Sequence, residues 1–335
     1  MQHESRGNTA MIRRQNKRSV LSCLRRTKSA SVQELALKTG LSYVTVSNLI
    51  RELSKSGEIL PGEMVPSAGG RPSQTYRFHR GFRYAAILYG HTLDGRDSLH
   101  LRVTDLAGTP VYGEDCFPDR VTPESLSALL SHAFERYPAI AAIGLGLPGE
   151  EQDGIVTIND YPELIGTRLT TQLSETFGVP ALFENDVNAA VLGFQQIGPR
   201  PPACCTVGIY FPGKYIPGAG ILLNGEIYRG KNHFAGELGS LPFGIDWLRA
   251  KNETELLQDV ARLAAIICCL LAPETILLYG DSLPDGADRA VSDLVHSLLH
   301  GKFHPKITLS RQFEAHFERG MIRCTLDRIE EDLLG

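Results

Sequence analysis

The first hydrophobic pattern along the chain is helical. Val20, Leu21 and Leu24 share one face of a helix expected over residues 16–28. Ser31 and Glu34 have capping-box spacing, which starts a second helix that Gly40 can end with positive φ. Ser42 caps a third helix, whose buried stripe is Val46, Leu49, Ile50 and Leu53. Tyr43, Thr45, Ser47, Asn48 and Arg51 are left on or near the opposite face. Short donors and acceptors with one guanidinium suit a helix laid in the major groove of DNA. A polar helix face alone is only a solvated surface; the short Gly40-Leu41 turn and flanking positive charge favour DNA. Residues 59–78 continue as a hairpin wing with Gly69, Gly70 and Pro72 around Arg71. An arginine held out by glycines can enter a narrow minor groove, the alternative being a plain turn between strands.

From Phe82 the pattern changes to short apolar runs separated by Gly/Asp turns and helices. Residues 84–89 are continuously apolar, and Leu99, Leu101 and Val103 alternate in the next strand, with a turn at 105–108. A helix over 123–137 precedes a buried strand at 140–146, and a helix at 169–177 precedes a strand at 181–183. Another helix follows Asn185. A second strand set starts at 204–210, and Asn224-Gly225 signals a type I′ hairpin. The helix through 261–271 leads into a strand at 275–279. Two similar β-then-α halves with polar loops at strand ends imply an α/β body of two lobes with a cleft between them.

Charge sharpens this division. Residues 1–80 hold 14 Lys/Arg against 5 Asp/Glu, a balance of +9, so the remainder of a chain with net charge −4 carries −13. A basic module on an acidic body suggests a polyanion partner for the first part only, although a flexible basic tail could account for residues 1–18. Seven cysteines form no C-x-C or C-x-x-C pair, and no secretory signal or apolar run near the ~20 residues of a membrane span accompanies them. Reduced thiols in a cytoplasmic protein are expected, with Cys204-Cys205 and Cys268-Cys269 in core packing.

Three clusters in the body can carry chemistry: Gly144–Gly149 at a strand end, Glu184–Asn188 between a strand and a helix, and Ala235–Gly239. A carboxylate, an amide and a glutamate converging on a cleft make a good polyol site, since each pairs with sugar hydroxyls. Taken singly, Asn185 or Asp186 could be a helix N-cap and Glu237 a solvated loop acid.

With these clusters in place, the chain resembles the ROK family, named for repressor, open reading frame and kinase. The resemblance rests on Gly40–Ser47, the wing Gly69–Pro72, Gly144–Gly149, Glu184–Ala190, Asn224–Gly230 and Ala235–Gly239. It implies a winged helix-turn-helix over residues 1–80, followed over 81–335 by the two-lobed actin-like, hexokinase-like fold. Family regulators usually act as dimers or tetramers. In family kinases the aspartate matching Asp186 takes a proton from the attacking sugar hydroxyl, and the residues matching Asn185 and Glu237 bind sugar hydroxyls. A sugar or sugar-phosphate effector is therefore implied, with Gly149, Asn185, Asp186, Glu237 and Ser240 as the contacts.

The departures from the family pattern matter as much. The first phosphate loop, Asp-x-Gly-x-Thr, aligns with Leu88-Tyr89-Gly90-His91-Thr92, so Leu88 replaces the acid that would organise Mg²⁺ and the transferring phosphoryl. The second, Gly-rich loop becomes Phe211–Gly220 with Pro212 and Pro217, which lack backbone N–H donors; Lys214 could meet an anion or stay solvated. Ser240 stands where the family's zinc-binding His would be, and 241–250 contains no cysteine, so no metal and no cofactor are expected. Trp247 falls in that region and can pack the gap or stack on a ligand. The expectation is a DNA-binding regulator of carbohydrate metabolism, a repressor, with operator DNA as partner, no membrane contact and no catalysis at the degenerate Asp186 base position. A sugar kinase with a DNA-binding appendage is the alternative, and a body that senses a protein partner is a third reading. The segment 301–335 is given no role beyond completing the fold.

Overall fold

The computed structural model describes residues 2–67, 70–93, 96–196, 205–212, 216–242, 244–280 and 282–334, with backbone alone described at 2–10, 67, 70, 71, 92, 93, 333 and 334. The amino-terminal module consists of α1 (Gln2–Thr27), β1 (Ala30–Ser31), α2 (Val32–Thr39), α3 (Tyr43–Ser56), β2 (Ile59–Ser67) and β3 (Gly70–Phe78). α1 begins well before residue 16: the basic leading stretch holds no proline and a single glycine, Gly7, so nothing in it stops the helix. The expected caps form. Glu34 N donates to Ser31 Oγ at 3.3 Å while Ser31 N donates back to the Glu34 carboxylate at 2.7 Å, and Gly40 ends α2 at φ 73°. Val20, Leu24, Leu35, Val46, Leu49, Ile50, Leu53 and Ile59 bury a separate small core, with β1-β3-β2 as its sheet.

The first lobe holds β4 (Tyr84–Leu93), β5 (Arg96–Asp105), β6 (Pro110–Cys116), α4 (Pro123–Arg136), β7 (Ile140–Leu147), β8 (Gly149–Gln152), β9 (Ile155–Asn159), α5 (Leu169–Phe177), β10 (Ala181–Asn185) and α6 (Asp186–Gln195). The second holds β11 (Cys205–Tyr210), β12 (Gly218–Leu223), β13 (Glu226–Ile227), α7 (Glu253–Leu271), β14 (Thr275–Tyr279), α8 (Ala287–Leu298), β15 (Lys306–Ser310) and α9 (Phe313–Leu334). Their five-stranded sheets run β6-β5-β4-β7-β10 and β13-β12-β11-β14-β15. Both repeat one plan: an antiparallel meander on one side of the opening strand, then two parallel strands on the other. Parallel neighbours bring successive strand ends to one edge, which is where ligands of α/β sheets bind.

A third core lies between the lobes. Ile87 and Tyr89 of the first sheet and Leu277 and Tyr279 of the second enclose α6 and α9, through Val187, Val191, Phe317 and Met321. α6 and α9 approach backbone to backbone: a Cβ at Gly193 would strike the His316 carbonyl, and one at Gly320 the Ala189 carbonyl. The carboxyl-terminal segment thus does more than complete the fold. α9 is the joint between the sheets, and its far end reaches α1, where Arg25 pairs with Glu330. Among the described residues no helix is long and apolar enough to cross a membrane.

Candidate effector cleft and nucleic-acid face

β7 and β10 lie parallel with Asn185 opposite Leu147 and Glu184 opposite Gly146, so the two strands end side by side. β7 runs through Pro148 into Gly149, which holds φ 120°; a Cβ there would strike the Ile158 carbonyl, so only glycine fits. Asn185 caps α6, its Oδ1 accepting from Val187 N at 2.9 Å and Asn188 N at 3.1 Å. Its Nδ2 donates to the Gly149 carbonyl at 3.3 Å. The capping role weighed for Asn185 is therefore present, and the same side chain ties the two strand ends together.

Asp186 opens α6, almost wholly buried, and accepts from Val187 N at 2.9 Å. Burial, with a smaller push from the Asp160 charge, raises its carboxyl to about 7. Glu184 is consumed structurally: Arg229 pairs with it, and Asn188 Nδ2 donates to it at 3.1 Å. Glu237 follows Gly236, which holds φ 103°, and a Cβ there would strike the Ala219 carbonyl. Burial first, and then the charge of Glu237, push the Glu150 carboxyl up to about 7. Ser240 lies one 3-10 turn on, exposed, its N donating to the Glu237 carbonyl at 3.1 Å.

The structure thus joins Gly149, Asn185 and Asp186 directly and links Glu237 to the residue after Gly149. Ser240 is tied to this group through backbone alone. Two further side chains come into play that the sequence reading missed, Glu150 and Asn159, both on the β8–β9 hairpin. Asn159 pairs with Gly149 across that hairpin and presents a buried Nδ2 with no hydrogen-bond partner. Asp153-Gly154, with φ of 50° and 75°, is the turn signal that could have revealed it.

The aligned phosphate-side positions are built differently. Leu88 is fully buried in the first-lobe core beside Leu101 and Leu145. Phe211 and Leu283 are buried in the second-lobe core, where Trp247 packs with its ring 5.7 Å from that of Phe211. Lys251 Nζ sits 4.6 Å over the Trp247 ring. Lys214 and Cys204 lie outside the described residues. Among the described residues no group of three His, Cys, Asp or Glu side chains is placed to hold a metal ion.

On the amino-terminal module, Ser42 Oγ accepts from Thr45 N at 3.1 Å and caps α3. Tyr43, Asn48 and Arg51 are exposed, Thr45 and Ser47 half-buried. Arg51 Nη1 donates to Asn48 Oδ1 at 3.4 Å, leaving most of the guanidinium fork available. Val44, 67% exposed beside Tyr43, is an apolar addition suited to a thymine methyl group. The wing forms as a β2–β3 hairpin in which Ser67 pairs with Gly70. Gly69 lies outside the described residues, as does the Arg71 side chain.

The ROK family model matches residues 93–255. The xylose repressor of Caldicellulosiruptor bescii is 26% identical over 246 residues, which cover 70% of this chain and 60% of the repressor. The N-acetyl-D-glucosamine kinase of Vibrio cholerae is 27% identical over 137 residues, covering 40% of this chain and 45% of the kinase. The fold is similar to the crystal structure of a ROK family transcriptional regulator that is a homolog of the E. coli MLC protein. The TM-score is 0.68 at 16% identity, over 96% of this chain and 99% of that one. The chain therefore spans about 60% of the length of the xylose repressors it matches, and is related both to sugar repressors and to sugar kinases.

Proposed function

Because the chain belongs to the ROK family, we propose that it is a DNA-binding transcriptional repressor of carbohydrate metabolism whose kinase-like body senses a sugar or sugar phosphate. One observation carries this reading. The polyol-side residues Gly149, Asn185 and Asp186 are locked together at adjoining strand ends, while the aligned phosphate-side position, Leu88, is apolar core. Asn185, Asp186, Glu150 and Glu237 offer acceptors and donors to paired hydroxyls, and Asn159 Nδ2 adds an unused donor. Residues 1–80 form the DNA-binding part and 81–335 the sensing part. Effector binding closes the lobes about α6 and α9 and reorients paired modules in a cytoplasmic dimer or tetramer. This needs only a difference in affinity between two body conformations, typically ~1–3 kcal/mol.

Calorimetry against a panel of pentoses, hexoses, amino sugars and their phosphates tests the cleft; saturable binding of at least one, weakened about tenfold or more in Asn185→Ala, is expected. No binding by any member defeats the reading. On the DNA side, Arg51→Ala weakens operator binding by about tenfold or more in gel shifts, leaving the body folded.

One observation favours the second reading, a sugar kinase with a DNA-binding appendage. A carboxyl raised to about 7 at Asp186 is poised for proton transfer near neutral pH. A coupled assay with ATP, Mg²⁺ and mixed sugars separates the two, since steady turnover belongs to the kinase alone.

A further inference from the structure

Where α1 and the base of the wing meet the body, a cavity of about 860 Å³ opens between β3, the 106–108 turn and α9. Six cations line it: Arg25 and Lys28 from the end of α1, Arg77 and Arg80 from the wing exit, Arg319 and Arg323 from α9. Among the described residues lining it, two acids face them, and each is engaged. Asp327 binds Arg323 Nε at 2.6 Å, and Glu330 pairs with Arg25 and, at 3.9 Å, with Arg18. Among the described residues Lys28, Arg77, Arg80 and Arg319 have no carboxylate partner; Arg319 reaches only the Gly193 carbonyl, at 3.4 Å.

Arg25 reports the consequence. Its Nε is buried with no hydrogen-bond partner, and its affinity for its proton is lowered by burial and by the Arg323 and Arg18 charges. Lys28 holds φ 63°, a left-handed conformation that glycine adopts without strain, yet a lysine stands there. Cations from three elements thus outnumber the acids beside them six to two, and their mutual repulsion opposes the closing of this junction. Leu24, Leu60, Phe78 and Ile322 add apolar wall, and the Arg25 guanidinium lies 4.5 Å over the Phe78 ring. The volume is that of a metabolite-sized site, and guanidinium forks match phosphate oxygens bidentately.

We propose that this junction cavity is a second ligand site, distinct from the cleft between the lobes, which takes a small phosphate ester and thereby clamps the amino-terminal module to the body. The several cations suit a doubly charged phosphate, and the apolar wall suits an attached carbon skeleton. An occupied site holds α1, β3 and α9 in one arrangement. Under the DNA-binding reading proposed above, such a ligand fixes how the module is presented to the operator.

The test is made on the full chain without DNA or sugar, so its outcome is independent of the cleft and of operator binding. Inorganic pyrophosphate, glycerol 3-phosphate and AMP are titrated by calorimetry, and thermal unfolding is followed at ionic strength fixed with NaCl. Saturable binding of at least one ester is expected, with a Tm that rises with its concentration. The arm that responds distinguishes an alcohol phosphate from a nucleotide. Arg77→Ala/Arg80→Ala removes two exposed cations and leaves the circular dichroism spectrum unchanged; affinity falls about tenfold or more. The conservative Arg319→Gln weakens binding by a smaller factor. Arg262→Ala, an exposed arginine of α7 outside the cavity, leaves binding unaltered. The proposal is overturned if neither glycerol 3-phosphate nor AMP binds saturably, binding of pyrophosphate alone included, or if binding survives undiminished in the double variant.

Discussion

The two lobes repeat one strand plan and use their strand ends for opposite purposes. In the first, β7 and β10 end in Gly149, Asn185 and Asp186, with Glu150 and Asn159 brought alongside by the β8–β9 hairpin. In the second, β11 and β14 end in Phe211 and Gly280: Phe211 N donates to the Tyr279 carbonyl at 2.9 Å, and Trp247 and Leu283 complete an apolar plug. The same architecture gives one edge that keeps polar groups buried and available, and one that spends its ends on packing. Burying unused carboxyls is costly unless something else requires them. The contrast places the buried carboxyls of Asp186 and Glu150 in the first lobe.

The largest expected effect comes from within the first lobe itself, at the apolar position aligned with the phosphate-loop acid. Leu88→Asp places a carboxylate among Leu101 and Leu145 with no partner, and is expected to cost about 3–5 kcal/mol in urea unfolding. A variant of unchanged stability would mean that Leu88 is not core.

Asp186→Asn probes the polar side. Asp186 has a folded-state value raised to about 7 from an ordinary carboxyl near 3.8. Between these limits the folded chain holds the proton more tightly than the unfolded chain. Stability is therefore fully present below about 4 and declines as pH rises toward about 7. The amide removes this decline, so the ligand-free variant is expected to be more stable than the parent at pH 7.5 by roughly 1–3 kcal/mol. Urea midpoints from pH 4.5 to 8 give the measurement, and parallel curves for the two proteins would remove the burial argument. Glu150→Gln acts in the same direction, more weakly, because its rise depends partly on Glu237.

The smallest expected effect sharpens the contrast. Trp247→Ala removes a half-buried ring from the second lobe and should lower stability by about 1–2 kcal/mol. Polyol affinity measured in the first-lobe cleft should stay within about twofold, since a packing residue distant from the ligand acts independently of it. A large loss of affinity would instead place the ring against the ligand.

Local rules read much of this chain correctly. The Ser31–Glu34 box, the Gly40 stop, the Ser42 cap and the buried stripe of α3 are short-range features fixed within a few residues, and all stand in the structure. The strand at residues 140–146 extends by a single residue, because its side chains are buried on both faces. The β8–β9 hairpin was overlooked because its Glu-Glu-Gln stretch carries no apolar alternation, leaving only Asp153-Gly154 as a signal.

What the sequence determined alone is therefore the set of local elements, their caps and turns, the charge division near residue 80, and the residue types available at Gly149, Asn185, Asp186 and Glu237. Tertiary structure decided which of these meet. Glu150 faces Glu237 only because a hairpin and a loop distant in sequence converge. α9 joins the lobes only because Gly193 and Gly320 let two backbones touch, and its end gathers cations from three elements at one junction. Such pairings depend on contacts across tens to hundreds of residues, and periodicity, which measures only neighbours, contains no record of them.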